Sequence, residues 1–169
     1  GPASGRKRAS VCLPAHSRYG HAMSSSLLDA LKLRIAEAVK AKDEAARLRG
    51  IVLGAVSAGN AQMQIPVSQS SLNALGVCDG GIIFALAETA FLYAANSHNR
   101  RAVSQNATIS YFGQVGAPET LTATARELSR SGRSATYVVG VHSKDGTLIA
   151  ELRGQSRVVR GEWLQSFAP

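Results

Sequence analysis

The chain has 169 residues, 45% of them hydrophobic, which is enough for one globular domain with a sizeable core. Its formal net charge of +8 includes four basic residues from an N-terminal segment without acids, so the remainder has fifteen basic against eleven acidic residues. That surplus suits phosphate-bearing small ligands. Because the basic stripe with interleaved aromatics typical of nucleic-acid binders is missing, we do not expect nucleic acid as a partner.

The N-terminal segment is rich in Gly, Ser, Pro and Arg and has no apolar stretch long enough for a secretory signal. We interpret residues 1–22 as a disordered or vector-derived tail, Met23 as a candidate native start, and residues 23–169 as one domain. Two cysteines, Cys12 and Cys78, are too few for a disulfide framework and show no metal-ligand spacing. We therefore expect free thiols, a reducing cytoplasmic location, no metal and no membrane span.

The first half of the domain begins with a helical pattern. Apolar residues at helical spacing from Leu28 to Val39 predict one helix over residues 27–50, which ends at a glycine. Residues 51–67 form two extended runs around the turn sequence Ser-Ala-Gly-Asn, which predicts a β-hairpin. Residues 68–78 have the composition of a loop.

The second half begins at Asp79 with the stretch DGGIIFALAETAFLYAANS. This stretch is apolar on nearly every side, which indicates a buried helix, and Asp79 suits its N-cap. Four β-rich segments follow, separated by turn signals at residues 115–119, 130–133 and 144–146. The order of elements predicts an α+β domain in which a single antiparallel sheet covers the apolar helix.

Glu88 is the carboxylate in the middle of this apolar helix, where an acid needs compensation. Asp79 and Glu88 are nine positions apart, about 13.5 Å and half a turn on a helix, so they cannot share one site within a chain. A two-fold dimer would place the N-terminus of one helix opposite the carboxylate of the other. Backbone N–H groups near Gly80 and Gly81 would then bind the oxygen of a polarised carbonyl while the carboxylate attacks it or activates a water. Acyl transfer from a thioester to water needs little more, because a thiolate leaves readily.

The sequence LNALGVCDGGIIFALAETAFLYAANS at residues 72–97, TLTATA at 120–125 and RGQSR at 153–157 resemble one enzyme family. They are similar to the hot-dog-fold acyl-CoA thioesterases of the phenylacetate-degradation (PaaI-like) type, over about residues 27–161. The resemblance implies an antiparallel sheet wrapped around a long central helix. It also implies hydrolysis of an acyl-CoA with an aryl or medium-sized acyl group by a homodimer or homotetramer with active sites at the subunit interface. The only cofactor implied is the coenzyme A of the substrate.

The resemblance also implies roles for individual residues. Glu88 occupies the position of the nucleophile or general base, and the hydroxyl of Thr89 holds the attacking water. The N–H of Gly80 from the other subunit polarises the thioester carbonyl, and Asn73 positions the water or the thioester. Structural alternatives remain open: Glu88 as a satisfied buried acid, Thr89 as an ordinary helix residue and Asn73 as an ordinary turn residue.

Asp79 departs from the family, which usually has His before the two glycines. A carboxylate there opposes the negative charge that develops on the thioester oxygen. Asp79 either caps the helix, is protonated or turned away in a working enzyme, or marks altered chemistry. The alternative function is therefore a non-catalytic acyl-CoA-binding or regulatory homologue, and hydratase chemistry would need a His partner that the sequence does not place. For the phosphates of coenzyme A we single out Arg100, Arg133 and Arg157, because guanidinium groups pair well with phosphate oxygens.

Overall fold

A computed structural model describes residues 25–165. The predicted tail over residues 1–22, Met23 and Cys12 lie outside the described residues. The elements in chain order are α1 Ser25–Lys40, α2 Glu44–Leu48, β1 Val52–Ser57, β2 Asn60–Val67, a 3-10 turn Gln69–Ser71, α3 Gly80–Asn96, β3 Arg100–Tyr111, β4 Glu119–Ser131, β5 Ser134–His142 and β6 Leu148–Glu162. No helix within residues 25–165 is long and apolar enough to cross a membrane.

The six strands form one antiparallel sheet in the order β1-β2-β4-β5-β6-β3, and α3 packs against it. The predicted α+β class, the hairpin, the apolar helix and the four later strands are confirmed. Alternate residues of β5 are buried, as expected for a sheet with one face on the core. In the core, the ring of Phe91 on α3 packs against the ring of Tyr137 on β5, with the ring centroids 5.1 Å apart. Gly154 of β6 makes room for Phe91, because a Cβ there would come within 2.8 Å of its ring.

The single helix predicted over residues 27–50 is wrong, because the chain forms two helices with a break after Lys40. Asp43 is the reason, since its side chain accepts a hydrogen bond from Ala46 N at 3.0 Å and starts α2 as an N-cap. Gly50 ends the segment with a φ of 72°, a conformation that glycine adopts at little cost. The break matters for function because it places α2 against α3 beside Glu88.

Strand β3 is one edge of the sheet, because it pairs only with β6 among the strands described. It is 12 residues long and has exposed apolar side chains at Val103 and Tyr111, which are 46% and 48% exposed. A long edge strand of this kind presents unpaired backbone groups that can pair with another chain.

Candidate active site

Glu88 lies on α3 and is half-buried in a cavity of about 330 Å³ between α2 and α3. The side of α3 that faces the cavity is otherwise apolar except for Thr89, with Phe84 and Leu92 one turn before and after Glu88. On the opposite side, α2 and its caps contribute Asp43 and Arg49 to the lining. The predicted carboxylate of the apolar helix is thus next to space that a small group can enter.

Burial raises the pKa of Glu88 above that of an ordinary glutamate, and the charge of Asp43 raises it further. Both effects disfavour the ionised form, the first by desolvation and the second by repulsion between two carboxylates. A raised pKa makes the ionised carboxylate a stronger base. The environment of Glu88 therefore suits proton abstraction better than that of a surface glutamate.

The N-terminus of α3 forms the second part of the candidate site. Asp79 is exposed and accepts a hydrogen bond from Gly81 N at 2.8 Å, so it caps the helix as predicted. The N–H of Gly80 has no hydrogen-bond acceptor within residues 25–165. Tyr111, at the end of β3, donates from its hydroxyl to the Gly80 carbonyl oxygen at 2.8 Å. The backbone around Gly80 is therefore fixed while its N–H remains available to a ligand.

Asn73 lies in the loop that leads to α3, and its side chain stabilises that loop. Its Oδ1 accepts from Leu75 N at 2.9 Å, and its backbone N–H donates to Val77 O at 2.8 Å. A bridge between Leu72 and Cys78 closes the loop. The amide nitrogen Nδ2 of Asn73 has no acceptor in the described part of the chain, so the side chain combines a turn role with a free donor.

Thr89 is buried, and its hydroxyl donates to the carbonyl oxygen of Ala85 at 2.7 Å. This is the intrahelical bond that threonine commonly makes within a helix. The hydroxyl can still accept a hydrogen bond, but its proton is in use. Any water held by Thr89 would therefore have to donate to it.

The chain does not bring the two parts of the site together. Gly80 and Glu88 lie eight residues apart on one helix, which corresponds to about 12 Å along its axis. The first part contains Asn73, Asp79 and Gly80, and the second contains Glu88 and Thr89. One thioester group could not contact both within a single chain.

Of the three arginines predicted to bind phosphate, two lie in the same cleft and the third lies outside it. Arg100 and Arg133 line one cleft of about 370 Å³ at the end of the sheet, where Arg160 joins them. Arg133 donates to the carbonyl oxygen of Val158 from Nε and Nη2, at 3.1 and 2.8 Å. Arg157 is exposed on β6, outside the residues that line this cleft. No group of three or more His, Cys, Asp or Glu side chains within residues 25–165 is arranged to hold a metal ion.

Two residues at the candidate site were not predicted from the sequence. The helical pattern over residues 27–50 predicts Asp43 in the interior of a helix, although an Asp followed by a short run of helix formers is a recognisable N-cap signal. Tyr111 lies in the first of the four predicted β-rich segments, and its contact with Gly80 spans 31 positions of sequence. Nothing local in the sequence indicates such a contact.

Comparison with known proteins gives consistent matches. The family model of the Thioesterase superfamily matches residues 75–150. The Escherichia coli protein named acyl-coenzyme A thioesterase PaaI is 32% identical over 126 residues, which cover 75% of this chain and 90% of that protein. An Archaeoglobus fulgidus protein with the name "Putative esterase" is 38% identical over 96 residues, which span 57% of this chain and 62% of that protein.

Solved structures match in the same way. The structure of Escherichia coli PaaI superimposes with a TM-score of 0.78 at 31% identity, covering 80% of this chain and 98% of that one. A mutant of the phenylacetic acid degradation protein PaaI from Thermus thermophilus gives a TM-score of 0.66 at 32% identity, covering 69% and 100% of the two chains. The sheet and its central helix are thus shared with these proteins over nearly their whole length.

Proposed function

This chain belongs to the thioesterase superfamily, in its PaaI-like hot-dog branch, and from that premise we propose that it hydrolyses acyl-CoA thioesters to a free acid and coenzyme A. The observation that carries the proposal is the half-buried carboxylate of Glu88, which lines a cavity on a largely apolar helix. One relative named as an acyl-coenzyme A thioesterase and one with the name "Putative esterase" support the reaction class.

In the proposed reaction, Glu88 removes a proton from a water as the water oxygen bonds to the thioester carbon. The tetrahedral intermediate then expels the thiolate of coenzyme A and leaves the free acid. In the other version, Glu88 bonds to the carbonyl carbon itself and expels the thiolate, and a water then cleaves the resulting anhydride. The raised pKa of Glu88, caused first by burial and then by Asp43, makes its ionised carboxylate both a stronger base and a stronger nucleophile, so it supports either version.

We assign stabilisation of the oxyanion to the N–H of Gly80 from a second copy of the chain. This N–H is free among the described residues, and it lies at the positive end of a 17-residue helix. Pairing of two β3 edges across a two-fold axis would make one continuous sheet and set two α3 helices antiparallel. Each Gly80 would then face the partner's Glu88, and each dimer would have two sites. Two such dimers would make the tetramer that the family resemblance implies.

Thr89 and Asn73 are assigned to the attacking water. The Thr89 hydroxyl donates to Ala85 O, so the water would donate one hydrogen bond to Thr89 and its reacting proton to Glu88. The free Nδ2 of Asn73 would donate to the water or the thioester from the partner's side. A water held in this way has a lone pair available for the carbonyl carbon.

Asp79 supports a second candidate, an acyl-CoA-binding homologue without turnover. Its carboxylate lies next to Gly80 and would oppose a developing oxyanion. Against that, the carboxylate is exposed to water and already accepts the N–H of Gly81, which weakens its effect. We therefore assign Asp79 the role of helix cap in a working enzyme.

The nucleotide part of coenzyme A is assigned to the arginine cleft. Arg100 and Arg133 line it together with Arg160, so three cations stand against the carboxylate of Glu162 in the same lining. Arg157 stays in the proposal as an exposed cation on the same strand as Arg160. A cytoplasmic location fits a substrate of this kind.

The function is tested by thiol release from phenylacetyl-CoA, hydroxybenzoyl-CoA and straight-chain acyl-CoAs, with wild type, Glu88→Gln, Asp79→His and the surface control Glu37→Gln. We expect release from wild type and the control, and a loss of about 10²- to 10⁴-fold in Glu88→Gln. Full activity in Glu88→Gln would remove this residue from the mechanism. Release only after Asp79→His would establish the binding homologue instead.

A further inference from the structure

A second cavity adjoins that of Glu88 further along α3. It has a volume of about 280 Å³ and lies between α1, the C-terminal half of α3 and the start of β3. Its apolar lining includes Leu92, Tyr93, Val103 and Trp163. Leu92 also lines the cavity of Glu88 and follows that residue by one helical turn, and Asp43 lines both cavities too, so the two cavities are neighbours.

Trp163 lies at the end of this second cavity that is distant from Glu88. Its Nε1 donates to Asn96 Oδ1 at 2.6 Å, and Asn96 is two helical turns beyond Glu88, or about 12 Å along the axis. Arg101 lies over the indole ring, with its guanidinium carbon 5.2 Å from the centroid. These contacts hold the indole ring in place as an end wall.

Most of the exposed lining of this cavity is apolar, although Ser104, which carries a hydroxyl, is part of it. All polar atoms of the Asn96 side chain are in use, because Oδ1 also accepts from Ala102 N at 3.0 Å and Nδ2 donates to Leu92 O and Ala102 O at 2.8 and 3.0 Å. The two charged residues of the lining, Lys42 and Asp43, have opposite signs. An uncharged apolar group therefore fits this space better than a charged one.

We propose that this cavity holds the acyl group of the substrate and that Trp163 limits the length of acyl chain that can enter. The inference rests on the proposed function, since it starts from a thioester carbon at Glu88. A dry apolar cavity of about 150 Å³ is large enough for benzene, so about 280 Å³ is enough for a phenylacetyl group or a medium-length chain. A partner β3 paired at Val103 would close the open side.

Trp163 is the only tryptophan of the chain, so it reports directly on occupancy. Acyl-CoA is titrated into the Glu88→Gln protein while the fluorescence is recorded, and free coenzyme A is the control for quenching by adenine. We expect phenylacetyl-CoA and hexanoyl-CoA to shift the emission maximum and free coenzyme A to leave it unchanged. An unchanged maximum with acyl-CoA bound, or the same shift with coenzyme A alone, would overturn the proposal. This arm needs binding only, so it decides the matter even in a protein without turnover.

The second arm uses selectivity, measured as the ratio of kcat/KM for dodecanoyl-CoA to that for phenylacetyl-CoA within each variant. The ratio is independent of the fraction of active protein, so a partly unfolded variant still gives an answer. Trp163→Ala should raise it about tenfold or more, because the end wall is removed. Trp163→Phe, which keeps a wall, and Arg101→Gln, which keeps the indole, should leave it within about twofold. An unchanged ratio in Trp163→Ala with hydrolysis intact would refute the acyl cavity but not the thioesterase.

Discussion

Tyr111 and Gly80 are joined by a hydrogen bond of 2.8 Å from the phenolic hydroxyl to the backbone carbonyl oxygen. The tyrosine ring also lies against the Cα of Gly80, since an added Cβ would come within 3.3 Å of it. The end of β3 thus fixes the first residue of α3, the residue whose N–H is free. The hydrogen bond thus connects β3, the edge strand proposed for dimer pairing, directly to Gly80, the proposed oxyanion donor.

Gly80→Pro is expected to reduce kcat by about 10²- to 10³-fold, because it removes the proposed oxyanion N–H and little else. Proline is favoured at the first position of a helix, and Asp79 has the extended ψ of 135° that a residue before proline adopts. Gly80→Ala is the matched control, since it makes a similar Cβ contact with Tyr111 but keeps the N–H. Equal activity of the two variants in thiol release would show that this N–H does not stabilise the transition state.

Tyr111→Phe is expected to lower kcat about two- to tenfold, because one hydrogen bond that orients Gly80 is lost while the ring remains. The KM for acyl-CoA should change little, since the phenolic hydroxyl is proposed to act on the enzyme backbone rather than on the substrate. Steady-state kinetics distinguish the two parameters. A large rise in KM with unchanged kcat would instead make Tyr111 a binding residue.

Glu88→Gln is expected to be at least as stable as wild type at pH 7 to 8. The folded-state pKa of Glu88 is raised by burial and by Asp43, so its ionised form costs stability as pH rises from about 4.3 through that raised value. The stability gain should shrink as pH falls and the wild-type carboxyl is protonated. Thermal melts of both proteins at several pH values measure the stability difference. A difference that moves in favour of the wild type as pH rises from 5 to 8 would contradict the prediction.

The raised pKa of Glu88 also predicts the pH profile of activity. Wild-type kcat/KM should fall on the acid side at a pH above the ordinary glutamate value.

Glu127 should contribute to stability rather than to activity. Its carboxylate accepts hydrogen bonds from His98 at 2.9 Å, from Arg130 at 2.6 Å and from Tyr137 at 2.7 Å. Burial alone would raise the pKa of Glu127, but these donors reverse the shift and lower it to about 2. Burial and repulsion from Arg130 lower the pKa of His98, although Glu127 opposes this. Both shifts make the folded state lose stability on acidification, from about pH 6.5 for His98 and from about 4.3 toward 2 for Glu127.

Glu127→Gln is therefore expected to lower the free energy of unfolding at pH 7 by about 2–3 kcal/mol, while kcat per folded enzyme is unchanged. The control is Glu151→Gln, which removes a surface ion pair with Arg153 and should cost at most about 1 kcal/mol. Urea unfolding of the three proteins gives the comparison. If the two substitutions lower the free energy of unfolding by similar amounts, the hydrogen bonds around Glu127 stabilise the protein no more than an exposed ion pair does.

The sequence indicated much of the fold, and the reasons differ between elements. Local patterns predict the hairpin, α3 and the four later strands. These patterns are the turn residues and the placement of apolar residues on one side or on all sides of an element. The break at Asp43 has a local signal, but the continuing helical periodicity on both sides obscured it. The contact of Tyr111 with Gly80 and the neighbouring positions of Asp43 and Glu88 depend on packing between distant segments. Such contacts cannot be read from periodicity.

The central claim is that each active site combines Glu88 of one subunit with Gly80 of the other. Glu88→Gln and Gly80→Pro chains should each be nearly inactive alone, but in a mixed dimer one of the two sites contains both intact groups. Co-expression of the two variants in equal amounts is therefore expected to restore about a quarter of wild-type thiol release, since half of the dimers are mixed and half of their sites are intact. Activity of the co-expressed protein no higher than that of the separate variants, with mixed dimers demonstrated by differently tagged chains, would contradict the shared site.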